Sequence, residues 1–180
     1  MLEGIIVKGV GGFYYVKTQD KIYECKARGV FRKDGLIPLP GDKVLFTVIK
    51  EDEDTGFIES IEPRQSQLLR PAVANVDQLA IIIATKSPKP DFVLLDKLLV
   101  AAKRENIEPF ICINKIDLDT EGNYVKIVES YNKTSYSTIA MSSKIDIGME
   151  DFKKKLSNRI TVLAGQSGVG KSTILNKISG

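Results

Sequence analysis

Short apolar runs alternate with polar residues over the first 62 positions, and aromatic and β-branched side chains dominate the runs. The pattern predicts strands at 4–8, 13–18, 21–31, 42–50 and 56–62. Between them fall residues with turn chemistry: Gly9, Gly11 and Gly12, then Asp34 and Gly35, then Pro38, Pro40 and Gly41, then the acidic stretch 51–55. Five strands without a helical period between them fit a small closed or nearly closed barrel, such as an OB-fold or SH3-like module, because an open meander would expose its edges.

From residue 75 the pattern changes. Residues 78–84 hold a continuous apolar run at 79–84, and 91–105 carry apolar residues at helical spacing, with Phe92, Leu95, Leu98, Leu99 and Ala102 on one face and Asp91 placed as an N-cap. Strand at 108–113, helix at 121–132, strand at 135–141, helix at 149–156 and strand at 159–164 continue the alternation, which predicts buried parallel strands. A glycine-rich turn then leads into a helix at 171–178, short enough to suggest that the chain continues beyond it. Residues 63–71 have the polar, proline-containing character of a junction, so the boundary is placed near 66: a barrel over 1–66, and the first part of an α/β domain over 67–180.

The 180 residues are 43% hydrophobic and 27% charged, with a formal net charge of +3, an ordinary globular balance. The longest unbroken apolar run, 79–84, is far short of the roughly 20 residues of a membrane span, and no apolar signal segment follows Met1, which argues against a membrane or secreted protein. With two cysteines, Cys25 and Cys112, and no histidine, these residues offer neither a zinc site nor a disulfide framework. Two reduced thiols fit a cytoplasmic protein. Acidic and basic residues balance over 1–70, so any basic surface there is local.

Residues Gly165, Gln166, Ser167, Gly168, Val169, Gly170, Lys171 and Ser172 match GxxxxGK(S/T), after an apolar strand and at the start of a helix, the context that a phosphate-binding loop requires. Glycines let consecutive backbone N–H groups point inward, and the helix presents its positive end to phosphate. Lys171 would reach the β- and γ-phosphates and stabilise their charge. The Ser172 hydroxyl would ligate Mg²⁺, and Thr173 follows among the nucleotide-contacting positions.

Asn114, Lys115, Ile116 and Asp117 follow a strand directly, which puts them on the carboxyl edge of the sheet with the phosphate loop. A carboxylate at Asp117 can accept two hydrogen bonds from guanine's ring N–H and exocyclic amine, which adenine does not offer as a pair. Asn114 could meet the base or brace the two loops, and the Lys115 stem could lie along the purine with its charge in water. Ser142, Ser143 and Lys144 follow the next strand and resemble the third guanine-binding element of GTPases, whose backbone N–H meets the guanine carbonyl.

In most GTPases the phosphate loop precedes NKxD, whereas here NKID at 114–117 precedes it. Parallel strands that converge on one edge can be cut and rejoined without moving the site. With a barrel in front, the order barrel, NKID, SSK, GQSGVGKS resembles the circularly permuted ribosome small-subunit-dependent GTPase A family, RsgA or YjeQ. The resemblance extends to ARGVFRK at 27–33, LLRP at 68–71 and NVDQ at 75–78. It implies an OB-fold barrel followed by a partial P-loop GTPase domain, hydrolysis of GTP to GDP stimulated by the small ribosomal subunit, and a role in that subunit's late maturation. It further implies switch segments and a zinc-binding domain after the phosphate-loop helix. Residues 1–180 alone would then bind guanine nucleotide poorly and hydrolyse it negligibly, with the catalytic switch residues beyond Gly180. The small subunit and its rRNA are the implied partners, and a monomer is expected.

The aromatic residues concentrate before residue 63, where Lys26, Arg28, Phe31, Arg32 and Lys33 form a candidate RNA surface in which rings stack bases and cations neutralise phosphates. Composition favours the plainer account, in which Phe13, Tyr15, Tyr23, Phe46 and Phe57 fill the barrel core. The resemblance favours RNA for the domain. Lys153, Lys154 and Lys155 read as the polar face of a short helix. A reading from another functional class is a nucleotide-switched RNA-binding module in which hydrolysis only resets occupancy.

Overall fold

The computed structural model describes residues 1–29, 31, 35–50, 54–69 and 71–179, in two compact units, Met1–Val76 and Asp77–Gly180. In the first, β1 (Leu2–Val10), β2 (Phe13–Lys17), β3 (Ile22–Ala27), β4 (Lys43–Lys50) and β5 (Thr55–Ile61) close a barrel in the order β1-β2-β3-β5-β4. β3 pairs with β5 in parallel and the other neighbours are antiparallel. Closure leaves no strand edge unpaired. Inward positions Ile6, Val16, Tyr23, Cys25, Val44, Phe46 and Ile58 fill the interior, with Tyr23 and Phe46 rings 5.0 Å apart.

The strand expected over 21–31 stops at Ala27, because the partner register with β5 ends at the Ala27–Ile58 pair and the chain then turns, with Phe31 N–H donating to the Arg28 carbonyl. Three aromatics expected in the core face outward: Phe13 and Phe57 lie opposite Lys26 on either side, and are 36% and 39% exposed, while Tyr15 lies opposite Glu24 and donates its hydroxyl to that carboxylate at 3.0 Å. Strand alternation sends Lys26 and its cross-strand neighbours to the outer face while Cys25 enters the core. A hairpin of β6 (Gln67–Leu69) and β7 (Ala72–Ala74) occupies the junction-like segment, where Ala74 N–H donates to the Pro40 carbonyl at 2.8 Å. Buried Asp42 beside it accepts from Arg64 and from Leu39 N–H.

The second unit is a four-stranded parallel sheet in the order β10-β9-β8-β11, from β8 (Gln78–Ala84), β9 (Glu108–Asn114), β10 (Thr138–Ala140) and β11 (Thr161–Ala164). Every residue of β8 is buried, as a central strand covered on both faces demands. Helix α1 (Phe92–Arg104) starts at Asp91, whose carboxylate accepts from Leu94 N–H at 2.9 Å, and buries Leu95, Leu99 and Ala102. Phe92, expected on that face, is 43% exposed because it sits at the helix's first position. Helix α2 (Asn123–Asn132) buries no residue, in keeping with its weak apolar stripe. On the other face, α3 (Met149–Leu156) and α4 (Lys171–Ser179) bring Met149, Phe152 and Ile174 against Ala80, Ile82, Phe110 and Cys112. β10 and β11 are shorter than the apolar pattern suggests.

At the amino edge of the sheet the buried Gln78 amide donates to the Lys155 carbonyl and to Thr161 Oγ1, and Glu108 accepts from Lys155 and Arg159. Every buried polar side-chain atom among the described residues has a partner.

Candidate nucleotide site

The carboxyl ends of β8, β9, β10 and β11 deliver four segments to one edge: residues 85–87, 114–117, 142–144 and 165–172. Edges of this kind are where doubly wound sheets bind ligands.

The phosphate loop leaves β11 at Gly165, whose φ of +138 places it where side chains are strained; a Cβ there would lie 2.1 Å from the Ile82 carbonyl oxygen. The loop therefore turns against the neighbouring strand. At its far end Gly170, φ +103, leaves room for Asn114: a Cβ would stand 2.5 Å from Asn114 Nδ2. Val169 between them is buried and anchors the loop in the core. Lys171 Nζ donates to the carbonyls of Gly165 and Gln166, each at 2.8 Å, so the ammonium stands inside the loop. Ser172 and Thr173 are exposed on the first turn of α4. The curled backbone, the lysine and a hydroxyl at the helix start form a donor set suited to nucleotide phosphates, and the Ser172 hydroxyl is an oxygen of the kind that Mg²⁺ takes as a ligand.

Asn114 braces rather than faces outward. Fully buried, it donates from Nδ2 to the Val169 carbonyl at 2.8 Å and to Ser143 Oγ at 3.2 Å, and its Oδ1 accepts from Ser143 N–H at 3.0 Å. One side chain thus ties three loops together. Lys115 Nζ donates to the carbonyls of Gly168 (2.7 Å) and Ser87 in contacts exposed to solvent, so its charge rests on the loop backbones at the surface. Half-buried Asp117 accepts from Ser142 Oγ at 2.5 Å, which fixes one carboxylate oxygen, and a carboxylate retains capacity for further donors. Ser142 is itself pinned, its N–H donating to the Ile147 carbonyl, whereas Lys144 is exposed. The structure thus gathers the sequence-predicted residues of all three motifs on one edge. Thr85 and Ser87, which contact Lys115, belong to no motif; their position directly after an apolar strand was the one available signal.

Of the candidate RNA residues that are described, Phe31 turns away from Lys26 and Arg28. Phe31 is 9% exposed and belongs to the barrel core, so its ring is closed to a stacked base. Arg28 pairs with Glu59 at 2.8 Å, and Lys26 Nζ lies 5.0 Å from the centre of the Phe13 ring. Arg32 and Lys33 lie outside the described residues. The outward groove around Lys26 is lined by Phe13, Ile49, Phe57 and Glu24. No helix among the described residues is long and apolar enough to cross a membrane.

Residues 61–180 match the family model for the RsgA GTPase, and residues 3–58 match that for the RsgA N-terminal domain. A protein of Ruminiclostridium cellulolyticum named small ribosomal subunit biogenesis GTPase RsgA is 57% identical over 99% of this chain and 59% of its own length. One of the same name from Alkaliphilus metalliredigens is 46% identical over 99% of this chain and 61% of its own. The chain thus spans about three fifths of the length of these curated relatives. Among solved structures, YjeQ from Thermotoga maritima superposes with a TM-score of 0.87 at 34% identity, and YloQ, described as a circularly permuted GTPase, with 0.84 at 39%. Each match covers 98% of this chain and 64% of the solved one. With both family models in chain order, and NKID ahead of the phosphate loop as permutation requires, the chain belongs to the RsgA family of GTPases.

Proposed function

We propose that this chain carries the guanine-nucleotide site of an enzyme that hydrolyses GTP to GDP and phosphate on the small ribosomal subunit, late in that subunit's maturation. The observation that carries the reading is Asn114: its amide joins the NKID loop to the phosphate loop and to Ser143, so a base held at Asp117 and phosphates held at 165–172 would belong to one molecule. Asp117 selects guanine, Lys115 lines the purine side, the Ser142–Lys144 loop supplies backbone contacts to the base, Lys171 stabilises phosphate charge, and Ser172 takes Mg²⁺.

The family and the length of its curated relatives support a longer working protein. In it, residues 1–66 serve as an RNA-facing barrel and 67–180 as the first part of the GTPase domain. The switch segments that place the attacking water, and a zinc-binding domain, would follow. The enzyme acts as a cytoplasmic monomer whose partners are the small subunit and its rRNA.

The outward Phe13 and Phe57 beside Lys26 favour a second reading, in which the protein is a nucleotide-switched RNA-binding module and hydrolysis resets its occupancy. One experiment separates the two: binding of GTP, GDP and ATP to the full-length protein with and without small subunits, with phosphate release followed in the same samples. Guanine-selective binding with subunit-stimulated release supports the enzyme. Nucleotide-dependent subunit affinity without stimulated release supports the switch, and ATP preference overturns both.

A further inference from the structure

Lys115 has φ 64 and ψ 34, the left-handed region that a residue with a Cβ avoids. Such a conformation persists only where its surroundings hold it, and such positions cluster at ligand sites. Lys115 is held at three points: its carbonyl accepts from Thr85 Oγ1 at 2.9 Å, and its ammonium donates to the Ser87 and Gly168 carbonyls. Thr85 N–H also donates to the Asn114 carbonyl at 3.1 Å, so both donors of one residue clasp consecutive peptide units of the NKID loop. Two of the three holds on Lys115 therefore come from residues 85–87, immediately after β8. The turn at Lys115 matters because it separates two side chains with different directions. Asn114, before it, reaches the phosphate loop; Asp117, two residues after it, reaches Ser142.

We propose that Thr85 is a positioning residue for base recognition: its hydroxyl locks the left-handed turn at Lys115 and so sets where the Asp117 carboxylate stands relative to the phosphate loop. The inference rests on the guanine assignment above. Asp117 is then fixed from two sides, by Ser142 through its carboxylate and by Thr85 through its backbone. Without the hydroxyl the Lys115 carbonyl loses its donor, the turn relaxes, and the carboxylate moves off the base's N–H and exocyclic amine. Phosphate contacts, made by a different segment, are left in place.

The test compares Thr85→Val, which keeps the branched volume and loses the donor, with Thr85→Ser, which keeps the donor. GDP, IDP and XDP binding are measured at equilibrium on the full-length protein. IDP lacks the exocyclic amine that Asp117 would hold. The valine variant is expected to lose more affinity for GDP, which offers Asp117 both the ring N–H and the exocyclic amine, than for IDP, which offers the ring N–H alone, so that the GDP-to-IDP affinity ratio falls several-fold, and serine restores that ratio. An unchanged ratio in the valine variant, whatever happens to its melting temperature, overturns the proposal, as does failure of serine to restore it. If valine prevents folding, Thr85→Ala is read by the same ratio. Asp117→Asn, measured alongside, tests the reading beneath: without a shift from GDP towards XDP the guanine assignment itself fails, independently of the Thr85 result.

Discussion

The side-chain amide of Asn114 donates to the backbone carbonyl of Val169 at 2.8 Å, across 55 positions of sequence. Both residues are buried, and the contact is what makes the end of β9 and the phosphate loop a single body. Asn114→Ala leaves the Val169 carbonyl and the Ser143 N–H without that partner in a buried setting, where each orphaned group costs about 1–3 kcal/mol. The expected loss is about 2–4 kcal/mol in the stability of the second unit, read as a lower urea midpoint, together with loss of nucleotide binding. A variant of unchanged midpoint would show the brace to be dispensable.

The phosphate-loop glycines separate by what surrounds them. Alanine at 165 or 170 meets a backbone carbonyl or the Asn114 amide at 2.1 or 2.5 Å, so either substitution must displace β8 or the brace. Gly168, with φ +80 and only Pro88 at 3.7 Å, has space, and its alanine variant bears only the left-handed penalty of about 1–2 kcal/mol. Nucleotide titration of the three variants should find binding abolished at 165 and 170 and reduced at 168.

On the barrel, burial divides the aromatics. Phe46→Ala empties the core and should cost about 3–5 kcal/mol, whereas Phe13→Ala and Phe57→Ala should leave the melting temperature nearly unchanged. If the outer face stacks unpaired bases, the latter two weaken rRNA binding by about 1–3 kcal/mol each. Unaltered affinity in the double variant would assign RNA contact to another part of the barrel.

Glu108 gives the second unit an acid-sensitive contact. Hydrogen bonds from Arg159, and then from Lys155, hold its carboxyl below the usual glutamate range. A depressed folded value means that the contribution is present above the unfolded value, about 4.3, and is lost as pH falls through the folded one. Glu108 is 49% exposed, so solvent keeps the effect small. The urea midpoints of wild type and Glu108→Gln should differ at pH 7 and draw together as pH falls below about 4, through the depressed folded value.

The two thiols should be silent in the native state. Burial, with a lesser push from the Glu24 charge, moves Cys25 up to about 11, and burial alone moves Cys112 still higher. Alkylation at pH 8 should be slow for both until denaturant is added. Rapid labelling of either would mean that its unit opens locally.

That the three motifs meet on one sheet edge was legible in the sequence because each is short, contiguous and follows an apolar strand. Asp91 as a helix cap and β8 as a buried strand were legible for the same reason: one local rule suffices. For Asn114 the sequence left open whether it meets the base or braces the loops, and the hold on Lys115 was not legible, since both contacts depend on carbonyls at 168 and 169 that sequence spacing does not place. Thr85 was invisible because a threonine after a strand has no signature; only the distance to Lys115 gives it one. In the barrel, period-two alternation predicted strands but not phase, so aromatic composition read as core while Phe13 and Phe57 took the outer face and Phe31 the inner. The β6–β7 hairpin escaped because three-residue strands carry too little pattern.

Strand β8 is buried along its whole length, with Ile81 and Ile82 at 0% exposure. Their backbone amides can meet solvent deuterium only when the sheet comes apart, whereas those of exposed loop residues exchange through small local openings. The slow amides of β8 therefore form an internal clock for the second unit, independent of any nucleotide label. A bound ligand that stabilises the native unit would slow that clock, so the affinity of an unlabelled, unidentified occupant could be read from the strand it never touches.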